Sequence, residues 1–213
     1  MRKAIYIFVT LFILSSCSND VSNTVDEKTT VSSELKTEVI TTYTLGDVKV
    51  KWNAFKHMSK AIVGGEFKEI IVTDFKDSNE LYSAIEGLSF QLGVNSTKTG
   101  DTLRDYKIYT SFFGTMLNTK YISGNITSLN DDKTGRVLIR MNDVAKEVDF
   151  TWDIDQTHEF FLKTSIDVFN WEAQKSLDAL NNVCLEKHTG PDGVNKLWAN
   201  VDVIVIAKLN PIN

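Results

Sequence analysis

Residues 95–113 read NSTKTGDTLRDYKIYTSFF, and this stretch sets the fold because it breaks the alternating pattern on either side of it. Thr99-Gly100 interrupts the preceding alternation. Asp101 or Thr102 then offers a side-chain oxygen to the free N–H groups of a first helical turn, and Leu103, Tyr106, Lys107 and Thr110 follow at helical spacing. Phe112 and Phe113 end the run as a bulky apolar plug. Adjacent residues near a helix end lie about 100° apart, so one ring is expected to face an interior space and the other to pack the helix on a wall, with Phe112 taking the interior. The stretch reads as a helical joint between two halves of a β-rich chain.

Upstream, Val48, Val50, Trp52 and Ala54 alternate with Lys49, Lys51, Asn53 and Phe55, the period of a half-buried strand. Ala61, Val63, Gly65 and Phe67 repeat the pattern, with Gly64-Gly65 marking a bulge or bend. Leu81, Ile85 and Leu88 have the spacing of a short helix or turn, and Phe90, Leu92 and Val94 form a third strand. Downstream, strands are expected at 121–129, 136–141, 146–154 and 159–168, joined by turn-forming stretches at 130–135, 142–143 and 155–157. A second helix is expected over 171–187, capped by Asn170 and stopped at Gly190, followed by a loop at 188–193. The final strand, 197–209, is apolar on both faces, which predicts burial on both, the outer one under a helix. About eight strands with two helical inserts are most economically closed into a mainly β, antiparallel, eight-stranded barrel, because closure removes the sheet edges. Such a barrel either holds one small ligand or is filled by its own side chains.

The string TGDTLRDYKIYTSFF at 99–113 resembles the helical insert of the YceI-like family, in which a Thr-Gly, an Arg-Asp and a Phe-Phe recur in this order. The hairpin at 50–67, with its glycine before a Phe, resembles that family's first hairpin. The resemblance implies a lipocalin-shaped barrel that holds a long isoprenoid-type or quinone-like lipid without transforming it. Its expected wall is Trp52, Val63, Phe67, Phe90, Leu92, Phe112, Phe113, Ile122, Ile126, Phe150, Trp152, Phe160 and Leu162, all on apolar faces. Arg104, with Lys98 or Lys107, would meet a polar or anionic head group at the mouth. The plainer readings stay open at this point: the aromatic residues also serve as ordinary core, and Arg104-Asp105 also serves as a salt bridge or cap. The lipobox described next and the region 171–198 depart from the family's periplasmic members.

The chain has 213 residues. Residues 1–16 read as an export signal, with Arg2 and Lys3 before an apolar run at 4–14 that is too short to span a bilayer. Leu14-Ser15-Ser16-Cys17 resembles a bacterial lipobox, which implies a lipid on Cys17, a flexible tether over 17–42 and a barrel domain over 43–213. Ser18 favours the outer membrane of the bacterial cell envelope. A net charge of −5 without a clustered basic patch argues against nucleic acid. With Cys17 acylated, Cys184 has no partner and the fold stands without a disulfide. Homodimer formation is left open.

Hydrolase, metalloprotease, phosphate-loop and dinucleotide motifs are missing from the sequence, and the paired acids Asp131-Asp132 and Asp153/Asp155 fall in expected turns. An enzyme is not expected, nor a cofactor or a metal. Cys184 and His188, four apart on the expected second helix, have metal or nucleophile spacing. The simpler assignment is a packed cysteine and a histidine at the helix end.

Overall fold

The period-two segments form ten antiparallel strands in a computed structural model that describes residues 42–212. The export signal, Cys17 and most of the tether lie outside the described residues. In chain order the strands are β1 (Thr42–Lys56), β2 (Ala61–Phe67), β3 (Ile70–Thr73), β4 (Ser89–Gly93), β5 (Thr97–Lys98), β6 (Tyr121–Leu129), β7 (Thr134–Met141), β8 (Val144–Ile154), β9 (Glu159–Asp167) and β10 (Leu197–Ile212). Helix α1 (Leu81–Ile85) precedes β4, α2 (Thr102–Lys107) follows β5, and α3 (Gln174–Val183) and α4 (Leu185–His188) lie between β9 and β10.

The strands hydrogen-bond in the order β3-β4-β6-β7-β8-β9-β10-β1-β2-β5. This is a curled, half-barrel sheet of ten strands, and the expected closed eight-strand barrel is not what forms. The reason is local. The hydroxyl of Ser96 accepts the backbone N–H of Glu69 at 2.9 Å, which a continuous ladder would direct to a carbonyl, and shares that of Lys68, at 3.1 Å, with the Ser96 carbonyl at 3.2 Å. The same hydroxyl donates to the carbonyl of Gly93 at 2.6 Å, within the tight turn Val94–Ser96. The expected second strand ends at Phe67 as β2 and the chain resumes as β3, while the expected third strand is β4, which the Val94–Ser96 turn separates from β5. No alternation in the sequence announced β3.

The β6–β9 meander follows the expected spacing, and Asn142 and Asp143 turn β7 into β8 with φ of 52° and 57°, as a two-residue hairpin requires. The segment expected as one helix over 171–187 is three pieces: a single 3-10 turn (Val168–Trp171), then α3, then α4. Its first turn is capped by Asp167, whose carboxylate accepts the N–H of Phe169 at 2.9 Å, rather than by Asn170. The outer residues of β10 are not roofed by a helix either. Ile204 and Ile206 are half-buried, and their neighbours across the sheet are Lys51 and Lys163, and Lys49 and Phe161.

Two apolar cores hold the sheet at its ends. One gathers Phe67, Ile108, Phe113, Met116, Val168 and Trp171 beneath the helices. Trp171 is fully buried, and its indole N–H donates to the carbonyl of Ile139 at 3.0 Å. The other gathers Ile85, Phe150, Trp152, Phe160 and Leu209 at the opposite end, where α1 packs. Among the described residues both cores and all ten strands lie within the compact unit Val39–Asn213, which has a hydrophobic core of its own.

Candidate functional site

Between the two cores the inner face of the sheet encloses a cavity of about 380 Å³, lined almost throughout by apolar side chains. Its wall runs from Leu45 to Lys56 along β1 and from Leu197 to Leu209 along β10. Twelve residue steps of strand cover about 40 Å, so the space is long and narrow. Volumes of roughly 300–1,000 Å³ are typical of ligand sites.

Eleven of the thirteen expected wall residues line this cavity: Trp52, Val63, Phe67, Phe90, Leu92, Phe112, Phe113, Ile122, Ile126, Phe160 and Leu162. Phe150 and Trp152 do not. The Phe150 ring lies on Gly135, its cross-strand partner, where only a hydrogen leaves room for it. Trp152 stacks on Phe160 with ring centroids 5.7 Å apart, meets the edge of Tyr82 at 5.8 Å, and donates its indole N–H to the carbonyl of Thr134 at 3.0 Å. Both side chains seal the end opposite the helices.

Phe112 and Phe113 both face the cavity, contrary to the expected division between them. After α2 the chain widens into a π-turn (Ile108–Phe112) and then tightens into a 3-10 turn (Phe113–Thr115), so regular helical angles do not apply. The two rings meet edge to face at 5.0 Å, and Phe113 also reaches Phe67 at 6.3 Å. Trp52 lies flat against Gly65 across the β1–β2 ladder, in space that a side chain at Gly65 would occupy. Its indole N–H is the one buried side-chain donor without an acceptor among the described residues.

The charged wall residues and the one imidazole are confined to one end, Lys56, Asp101, Arg104, Lys107, Lys187 and His188, while the hydroxyl of Thr164 stands midway along β9. Asp101 caps α2 by accepting from the N–H groups of Leu103 and Arg104, both at 3.0 Å. The N–H of Arg104 first, then that of Leu103 and the Arg104 charge, hold its carboxyl below the usual carboxylate range. Arg104 stands at the mouth as expected, but its guanidinium is already engaged. It donates to the hydroxyl of Thr99 at 2.8 Å and to the Thr99 carbonyl at 3.0 Å. Lys98, the other expected head-group partner, lies 3.8 Å from the Asp105 carboxylate. His188 is buried, with Nδ1 2.8 Å from Oδ1 of Asn181. Burial, followed by the charges of Lys56, His57 and Lys107, lowers its pKa to about 4, so the imidazole is neutral at pH 7.

Cys184 also lies on the cavity wall, and among the described residues no three His, Cys, Asp or Glu side chains converge as metal ligands. Folding brings His57 to the same rim as His188, while His158 sits at the far end beside Tyr43. Sequence reasoning passed over much of the wall, including Val137 and Ile139 of β7, Ile166 of β9, and Val201, Val203 and Val205 of β10. The signal was available, because these residues fall on the apolar positions of period-two segments.

No family model and no curated protein matches the chain. Solved structures do. A polyisoprenoid binding domain from Saccharophagus degradans, implicated in plant cell wall breakdown, superposes with a TM-score of 0.56 over 81% of this chain and 99% of its own, at 9% identity. BcnA of Burkholderia cenocepacia gives 0.53 over 76% and 96%, at 10% identity. A YceI protein of Campylobacter jejuni gives 0.47 over 75% and 90%, at 13% identity, too low a score to carry an argument. At these identities the likeness is one of fold. In architecture the chain is a curled antiparallel β-sheet that encloses an apolar cavity. More narrowly, its fold is that of the Saccharophagus degradans domain and of BcnA.

Proposed function

We propose that the protein binds one long apolar lipid, of the isoprenoid or quinone-like type, along the cavity and carries it chemically unchanged. The observation that carries this reading is the shape and lining of the space: almost wholly apolar for the length of β10, narrow, and charged at one end only. A linear hydrocarbon fills such a space with dispersion contacts, whereas a compact polar molecule would forfeit its hydration. The similar domain from Saccharophagus degradans is named for polyisoprenoid binding, which supports the same ligand class here. The carrier is assigned to the bacterial cell envelope, tethered through a lipid on Cys17, with the outer membrane favoured.

The test is organic extraction and native mass spectrometry of residues 43–213 purified from a bacterial periplasm. One equivalent of a prenyl-type lipid is expected per chain. A domain that emerges empty and takes up no added prenyl lipid would overturn the proposal in favour of an interaction module that presents only its loops.

A further inference from the structure

Three segments meet at the polar end of the cavity: the turn between β1 and β2, the start of α2, and the junction of α3 with α4. Lys107 Nζ donates to the carbonyl of Val183 at 2.9 Å. Lys56 Nζ and His57 Nε2 both reach the carbonyl of Lys187 at 3.0 Å. These contacts join the segments into one rim.

Large apolar side chains stand in solvent on this rim. Met58 is 53% exposed, Ile62 65%, Leu103 63%, Tyr106 64%, Val183 46% and Leu185 53%. Single exposed apolar residues are ordinary on any surface, but a group of them around one opening marks a contact site. Lysines stand between them: Lys56, Lys60, Lys107 and Lys187. Trp198, on the same rim, has the ammonium groups of Lys60 and Lys196 each 4.7 Å from its ring. The opposite end of the sheet is acidic, with Asp74, Asp77, Glu80, Asp131, Asp132 and Asp155 in its turns. Around the opening Lys56, Lys60, Arg104, Lys107 and Lys187 stand against Asp101, Asp105 and Glu186, so a chain of net charge −5 has a local excess of cations where the cavity opens.

We propose that this rim docks on the surface of an anionic lipid bilayer, so that the cavity opens directly into the headgroup layer. The proposal rests on the lipid reading of the cavity but is read by a different measurement. Apolar tips, a tryptophan and interspersed lysines are the chemistry of the membrane interface, where the tips enter the acyl boundary and the ammonium groups stay with phosphates. Among the described residues no helix is long and apolar enough to cross a membrane, so the contact is one of surface. An apolar ligand entering at such a contact never crosses bulk water.

Residues 39–213, without acyl chain or signal, are to be co-sedimented with vesicles of phosphatidylglycerol and phosphatidylcholine, and with pure phosphatidylcholine. Binding to the anionic vesicles alone is expected, falling about tenfold as salt rises from about 0.05 to about 0.5 M. The double variant Ile62→Ser/Leu185→Ser changes two exposed side chains that do not line the cavity, so its fold and ligand content persist. Its partition onto vesicles is expected to drop about tenfold or more, while Ile71→Ser, exposed away from the rim, leaves partition unchanged. Equal or absent binding to the two vesicle types overturns the proposal and leaves the rim to a protein partner, and so does a double variant that sediments like the wild type. Extraction separates the two readings: a domain that holds lipid but ignores vesicles refutes docking alone, and one that docks but is empty refutes the cavity reading alone.

Discussion

The carboxylate of Asp105 accepts both the backbone N–H and the hydroxyl of Thr99, at 2.8 and 2.6 Å. Arg104, its neighbour on α2, grips the same residue from the other side through Thr99 Oγ1 and the Thr99 carbonyl. The Thr-Gly and Arg-Asp of the stretch at 99–105 are therefore one clamp, which bends the chain out of β5 and holds α2 over the cavity mouth. Asp105→Ala leaves a half-buried hydroxyl and N–H of Thr99 without their acceptor and is expected to cost about 1–3 kcal/mol in urea unfolding. Arg104→Met, which keeps the stem, is expected to cost about 1 kcal/mol, the usual worth of a hydrogen bond. If Arg104→Met also strips polar-headed lipid from the purified domain while retaining pure hydrocarbon, the guanidinium has a ligand role beyond the clamp.

Gly65 gives Trp52 its place. A methyl group at Gly65 would overlap the indole, so Gly65→Ala should push Trp52 toward the cavity and reduce its free volume. The expected outcome is a loss of about 1–3 kcal/mol from overpacking, together with weaker uptake of an apolar fluorescent probe. Uptake equal to wild type would mean that the indole has another way to move.

His188 makes stability depend on pH with a definite sign. Its folded pKa, about 4, lies below its ordinary value of 6.5, so the unfolded chain binds the proton first. Stability is therefore intact above pH 6.5, declines as pH falls toward 4, and loses nothing further from this group below that, the total being up to about 3 kcal/mol. Thermal melts between pH 7 and 4 are expected to show a steeper fall for the wild type than for His188→Gln, which keeps a donor for Asn181 but cannot titrate. Parallel curves would remove His188 as the cause.

The two phenylalanines at the end of the helical stretch should separate by burial. Phe113 is 8% exposed and belongs to the core under the helices, so Phe113→Ala is expected to cost about 3–5 kcal/mol. Phe112 is half-buried and faces the cavity, and Phe112→Ala should cost less while changing which lipid co-purifies. Thermal melts and extracted-lipid profiles of the two variants decide it. Equal losses with an unchanged profile would leave ligand selection to the strands.

The proposed acylation of Cys17 depends on sulfur at that position. Cys17→Ser in the full chain is expected to abolish metabolic labelling with palmitate and to shift the protein from membrane to soluble fractions. Labelled protein that persists in the substituted chain would place the acyl group elsewhere.

The mainly β character, the meander at 121–167, the helical joint and the inward side of β1, β2 and β4 were legible in the sequence. Each rests on a local periodicity or a local cap: side chains two apart share a strand face, and an aspartate three residues before Arg104 can reach its N–H. Eleven of the expected wall residues reach the cavity for that reason. Four things were settled only by the tertiary structure. Ser96, from a turn 27 residues away, breaks the ladder at Glu69 and opens an expected eight-strand closure into ten curled strands. A π-turn puts Phe112 and Phe113 on the same cavity. Gly135 and Thr134 draw Phe150 and Trp152 off the wall. Lys56, Lys107 and Lys187, far apart in the chain, meet around one opening. Periodicity says which face a side chain takes, because that depends on backbone geometry within a few residues. Which side chains then meet, and whether they leave a space, depends on contacts between residues distant in the chain, which no local pattern encodes.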